Sequence, residues 1–174
     1  MTLSTAGPAV PEEADALAAA ARLLRRIEDI VAATPGDEAL LGQLRELPGG
    51  VRGALTLLTF GTPAAFRADL AGDETGTVVL IVDADGEEVR FCLRIEDGEC
   101  RIVEPVADPT TTIALSAPTF LRVAYKFMDG NDAHLNGLTE VTGDVFTATN
   151  LYEWFDTPLV ALDQYTTDRT EEAG

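Results

Sequence analysis

The feature that most constrains this chain is a pair of Asp-Gly dipeptides, Asp85-Gly86 and Asp97-Gly98, each set between runs that alternate polar and apolar residues. A two-residue hairpin turn requires positive φ at both central positions. Asp-Gly tolerates this, so each dipeptide predicts a tight antiparallel hairpin and fixes its register. The strands so bounded are Thr77 to Asp83, Val89 to Glu96 and Glu99 to Glu104. Pairing Glu96 with Glu99 puts Ile95 opposite Cys100 and Leu93 opposite Ile102. Phe91, Leu93, Ile95, Cys100 and Ile102 then share one face, joined by Val78, Leu80 and Val82. Arg90, Cys92, Arg94, Glu96, Glu99 and Arg101 share the other face with Val79 and Ile81. These last two need cover, which N-terminal helices or a second subunit could supply. The two cysteines point to opposite sides, so this register excludes a disulfide between them. They read as reduced thiols of a cytoplasmic protein.

On either side of this strand block the period is helical. Pro11-Glu12-Glu13 opens a helix after a lead-in over residues 1–10 that reads as disordered. Leu17, Ala20, Ala21, Leu24, Ile27 and Val31 form its apolar stripe, and Thr34-Pro35-Gly36 stops it. A second helix fits Asp37 to Leu47, with Leu40, Leu44 and Leu47 on one face. Val51 to Leu70 is open between readings: Leu55, Leu58 and Phe60 look helical, whereas Phe66 to Leu70 fits a strand. Downstream, Thr111 to Ser116 is a fourth strand with Ile113 and Leu115 inward. Pro118 begins a helix carrying Phe120, Leu121, Ala124, Phe127 and Met128, followed by a polar loop over Asp129 to His134. Leu138 to Gly143 is a fifth strand. Asp144 N-caps a last helix bearing Val145, Ala148, Leu151, Tyr152 and Phe155. The divisions are a helical segment over 11–72, an α+β domain over 73–157 and a loose tail over 158–174.

Charge removes several classes of function. The net charge is −18, from 30 acidic against 12 basic residues. Such a polyanion is repelled by phosphate backbones and by anionic bilayers, so no nucleic-acid partner is expected. The longest aliphatic run, Val78 to Val82, is far too short for membrane insertion, and no basic leader precedes an apolar stretch. Lys126 is the sole lysine among the basic residues. With the Ala and Gly richness, this arginine preference suggests GC-rich bacterial coding.

Three segments together carry a family resemblance. They are Phe91-Cys-Leu-Arg-Ile-Glu-Asp-Gly-Glu-Cys-Arg-Ile-Val103, then Ala107-Asp108-Pro109 leading to Thr112-Ile113-Ala114-Leu115-Ser116, and finally Gly137-Leu-Thr-Glu-Val141-Thr-Gly143-Asp144. In order and spacing they resemble the sterol carrier protein family over about residues 75–156. The resemblance implies a five-stranded, mostly antiparallel sheet with helices on one face. It also implies an apolar tunnel between them for fatty acyl chains, sterols or similar molecules. Two departures stand out: Thr139, Glu140 and Thr142 replace lysines usual around the last strand, and Phe91 stands where Trp is common. By residue type the candidate lining is Phe120, Ala124, Phe127, Met128, Leu151, Trp154 and Phe155, with Phe91 from the sheet.

Catalytic candidates are fewer. His134 is the only histidine, and a general-base role would require Asp132 or Asp129 within hydrogen-bond reach, with Tyr125 as a further acid. Ser116 fits a helix N-cap better than a nucleophile, since no nucleophile-elbow motif surrounds it. Asp83-Ala-Asp85-Gly86 lacks the alternating ligands and closing Glu of a calcium loop, and one histidine with two opposed cysteines makes no zinc site. No metal and no cofactor is expected. The leading expectation is a non-catalytic module that sequesters or presents an apolar small molecule. One alternative is an enzyme or accessory protein of bacterial secondary metabolism using His134. The other is a homodimeric interaction domain with a filled core.

Overall fold

The structure, a computed structural model, describes residues 10–160 together with 162 and 163. The lead-in expected over residues 1–10 lies outside the described residues, apart from Val10. Five strands form one sheet: β1 (Gly76–Ala84), β2 (Glu87–Glu96), β3 (Glu99–Val103), β4 (Thr111–Ser116) and β5 (Thr139–Gly143). Their order is β3-β2-β1-β4-β5, with β1 and β4 parallel and every other pair antiparallel. Both hairpins turn at the Asp-Gly pairs. Asp85 and Gly86 have φ of 61° and 92°, and Asp97 and Gly98 have φ of 53° and 73°. The register follows from the turns: Ile95 faces Cys100, Leu93 faces Ile102, and Leu80 faces Phe91.

Helices accompany the sheet: α1 (Val10–Ala33), α2 (Asp37–Arg45), α3 (Gly50–Ala65), α4 (Ala68–Ala71), α5 (Ala117–Ala124), α6 (Gly130–Leu135) and α7 (Val145–Leu151). The segment read two ways is helix for most of its length. Instead of a strand over Phe66 to Leu70, Phe66 makes a single bridge to Phe155 before α4 begins. That junction is pinned on both sides: Arg67 N–H donates to Trp154 O at 2.6 Å and Asp156 N–H donates to Ala65 O at 2.8 Å. The Phe66 and Phe155 rings pack at 5.5 Å between centroids.

Two buried cores lie on the same face of the sheet. The first joins Leu24, Ile27 and Val31 of α1, Leu40 and Leu44 of α2, and Leu55 and Leu58 of α3 to Val82 and Val89 near the first hairpin. The second joins Val78, Leu93, Ile95, Cys100 and Ile113 to Leu151 and Trp154. The helices therefore do not cover Val79 and Ile81, as one reading of the sequence had them do. Val79 is nonetheless 5% exposed and its cross-strand partner Cys92 1% exposed. Both are small side chains at the centre of the sheet, and the register sets them on one face beside Ile81, Arg90 and Arg94.

Four local readings need correction. The helix expected to run through Met128 stops at Ala124, with Tyr125 as its cap. Lys126 takes a left-handed conformation, φ 63°, that ends it. The Phe127 N–H reaches back to Arg122 O at 2.9 Å and the Lys126 N–H to Val123 O at 3.1 Å, the paired bonds of a Schellman stop. The loop over Asp129 to His134 is instead helix α6, whose N-cap Asp129 accepts from Asn131 and Asp132 N–H. The last helix ends at Leu151, continues as a 3-10 turn over Tyr152–Trp154, and leaves Phe155 extended. Of the tail expected to be loose over 158–174, residues 158–160, 162 and 163 are helical, with Leu159 and Leu162 packed against the first core; 161 and 164–174 lie outside the described residues.

Candidate functional site

Where the two cores meet they do not close. A cavity of about 160 Å³ opens between the sheet and helices α3, α5, α6 and α7. Its floor is Leu80 of β1, Leu93 of β2, Ile113 and Leu115 of β4 and Val141 of β5. The alternation of each strand turns these side chains toward the helices. Leu58, Thr59, Thr62 and Ala65 of α3 form one wall, and Phe120, Val123 and Ala124 of α5 form another. Ala148 and Leu151 of α7, with Phe155 beyond it, close the third side.

The wall is apolar by construction. Thr59 and Thr62 donate their hydroxyls to carbonyls one turn back, Leu55 O at 2.8 Å and Leu58 O at 3.1 Å, and Thr149 donates to Phe146 O at 3.0 Å. Polar side chains gather at the seam between α5–α6 and α7 with its 3-10 turn: Lys126, His134, Thr139, Tyr152 and Asp156. Lys126 Nζ donates to Tyr152 O at 2.6 Å and sits 3.6 Å from the centre of the Tyr152 ring. Burial lowers the Lys126 pKa, against the upward pull of Asp156, Glu153 and Asp129. Asp156 is itself 3.4 Å from the Arg67 guanidinium.

Of the lining proposed from the sequence, the structure brings Phe120, Ala124, Leu151 and Phe155 to the cavity. The other four lie elsewhere. Phe91 packs against the first core, and Trp154 is buried in the second. Phe127 is 50% exposed and stacks on Tyr125, because the Schellman stop swings it off the helix. Met128, past the same stop, is half-buried and outside the cavity wall. The α3 contribution was missed because Val51 to Leu70 was open between readings and the α3 threonines fall on both its exposed and its buried side, giving no clear direction to the helix. Leu80, Leu93, Ile113 and Leu115 were legible as inward residues, but nothing in the pattern separated cavity floor from packed core.

The acid–base candidates are not assembled. His134 reaches the cavity, with Nδ1 3.2 Å from Thr139 Oγ1. Asp129 spends its carboxylate on the α6 N-cap, and Asp132 is exposed on the same helix. Tyr125 is buried away from the cavity and donates its hydroxyl to Leu24 O at 2.9 Å. Burial, reinforced by Glu28, pushes its pKa well above the ordinary phenol value. Ser116 caps α5, accepting from Thr119 N–H at 3.3 Å. Among the described residues no group of three His, Cys, Asp or Glu side chains is placed to hold a metal ion, and no helix is long and apolar enough to cross a membrane.

The sterol carrier protein 2-like 2 protein of Aedes aegypti is 17% identical, covering 59% of this chain and 94% of its own, with a TM-score of 0.47. Sterol carrier protein 2 of Yarrowia lipolytica is 13% identical over 77% of this chain and 87% of its own, with a TM-score of 0.41. The stereoselective inverting sec-alkylsulfatase Pisa1 of Pseudomonas sp. is 16% identical over 87% of this chain but only 26% of its own, with a TM-score of 0.51. At that identity the last likeness is one of fold alone. No curated protein matches the sequence. The model of the SCP-2 sterol transfer family matches residues 67–156, a span holding all five strands and helices α4 to α7, and the chain belongs to that family.

Proposed function

We propose that the protein binds one apolar small molecule, a lipid, fatty acyl chain, sterol or polyketide-like compound, in the cavity between sheet and helices, and sequesters or presents it without chemical change. One observation carries the reading: an apolar space open at one seam and lined by Leu58, Leu80, Leu93, Ile113, Phe120 and Leu151, with the hydroxyls of Thr59 and Thr62 already bonded to backbone. Each methylene moved from water into such a space contributes about 0.8 kcal/mol. A chain of about ten methylenes offsets the several kcal/mol lost on association. Membership of a sterol transfer family supports the same class of ligand. Buried thiols at Cys92 and Cys100, on opposite faces of the sheet, favour work in a reducing compartment such as the cytoplasm.

Native mass spectrometry of gently purified protein, followed by titration of the delipidated protein with fatty acid, sterol and polyketide-like probes, tests the proposal. A co-purifying adduct or saturable uptake of one probe class at one-to-one stoichiometry is expected. Protein that carries nothing and takes up none of the probes contradicts it. Replacing Leu93 by Trp, which fills the floor of the cavity, should abolish uptake while circular dichroism stays unchanged.

A further inference from the structure

The cavity has one cationic group on its wall, and its setting is unusual. Lys126 is the only lysine in a chain whose net charge is −18. It occupies the position after the cap of α5, where the left-handed backbone, φ 63°, favours glycine. A side chain here therefore strains the backbone at a site that would fold more easily without one. That side chain returns to the cavity mouth, where Tyr152 O takes one of its three N–H bonds and the Tyr152 ring covers the ammonium. Arg45, Arg52, Arg67, Arg90, Arg101 and Arg122 each ion-pair with a carboxylate, but among the described residues no carboxylate lies within ion-pairing distance of Lys126. Its near neighbour Asp156 is engaged by Arg67. Glu153 and Asp129 also act on Lys126 from beyond ion-pairing distance, yet burial outweighs all three carboxylates. A half-buried ammonium with no direct ion pair is unfavourable, and an anion seated against it at the cavity mouth would relieve it.

Resting on the binding function proposed above, we propose that Lys126 is the head-group contact of the cavity. It selects amphiphiles that place an apolar body over Leu80, Leu93 and Ile113 and a carboxylate at the seam beside Tyr152. His134 and Thr139 lie on the same polar rim and offer hydrogen bonds to the second carboxylate oxygen. A neutral head of equal size accepts one hydrogen bond there and leaves the ammonium uncompensated.

The test compares cis-parinaric acid with its methyl ester by fluorescence titration at neutral pH, using full-length protein. Wild type is expected to bind the acid at least roughly tenfold more tightly than the ester, the range of one charge-assisted hydrogen bond. Lys126→Met and Lys126→Gly should each bring that ratio close to one while ester binding persists. Lys126→Gly guards against misfolding, because its backbone prefers the conformation found. In a measurement needing no variant, an amine-acetylating reagent applied to wild type and followed by peptide mapping should modify Lys126 more slowly with the acid bound than with the ester. A ratio unchanged by either substitution, or equal acetylation with acid and ester, overturns the head-group role and leaves the cavity function standing. If wild type binds neither probe, the head-group role falls, and the cavity function stands or falls with the sterol and polyketide-like probes named above.

Discussion

At the scale of single residues, two positions hold conformations or environments that their neighbours impose. Lys126 is fixed in the left-handed region by the bonds from Phe127 and Lys126 N–H to carbonyls of α5. Removing the side chain isolates the backbone contribution. Lys126→Gly is expected to be more stable than Lys126→Ala by about 1 kcal/mol, read as a shift in the urea midpoint. Equal midpoints would show that the backbone there is unstrained. Cys100 is buried, and burial pushes its thiol up to about 12. In native protein near about pH 8.5 it should resist iodoacetamide and react only once urea unfolds the chain, because the thiolate is the nucleophile. Stoichiometric alkylation of the native protein would contradict this placement. The sequence foretold the orientation of Cys100, since a turn of fixed length sets register. It did not foretell the departure of Phe127 and Met128 from α5. The left-handed stop that removes them is usually marked by glycine, and here a lysine occupies it.

At the scale of elements, the informative segments were those whose geometry is set locally. β1, β2 and β3 followed from two Asp-Gly turns, with the cross-strand partners in the expected register. The parallel pairing of β1 with β4 had no local signal, because the partners are joined through two other strands and a long connection. The stretch Val51 to Leu70 was ambiguous for another reason. Leu55, Leu58 and Phe60 read as helical, but the short run Phe66 to Leu70 also fitted a strand, and only tertiary packing decides: Phe66 makes one bridge and α4 follows. β5 depends on a close approach at its end: Gly143 has φ 93°, and a Cβ there would lie 2.6 Å from Thr110 O. That same carbonyl accepts the Asp144 N–H at 2.9 Å, so it has no freedom to retreat. Gly143→Ala should cost about 1–3 kcal/mol in chemical denaturation, and a wild-type midpoint would refute the crowding.

At the scale of the whole molecule, 30 acidic residues against 12 basic ones impose a self-repulsion that the fold tolerates and does not resolve. Screening should relieve it: the thermal midpoint is expected to rise by a few degrees between about 10 mM and about 0.5 M sodium chloride. A fall over that range would mean that the surface ion pairs outweigh the repulsion. The cavity is likewise a property of the whole, arising where two cores abut, which is why its floor was readable strand by strand and its existence was not. Its α3 wall precedes residue 67, where the family match begins, while the floor and remaining walls fall inside it. Leu58, Thr59, Thr62 and Ala65 can thus change without disturbing any strand pairing. A protein engineer has in that single helix a dial for the bore of the chamber, adjustable while the sheet beneath it stays as it was.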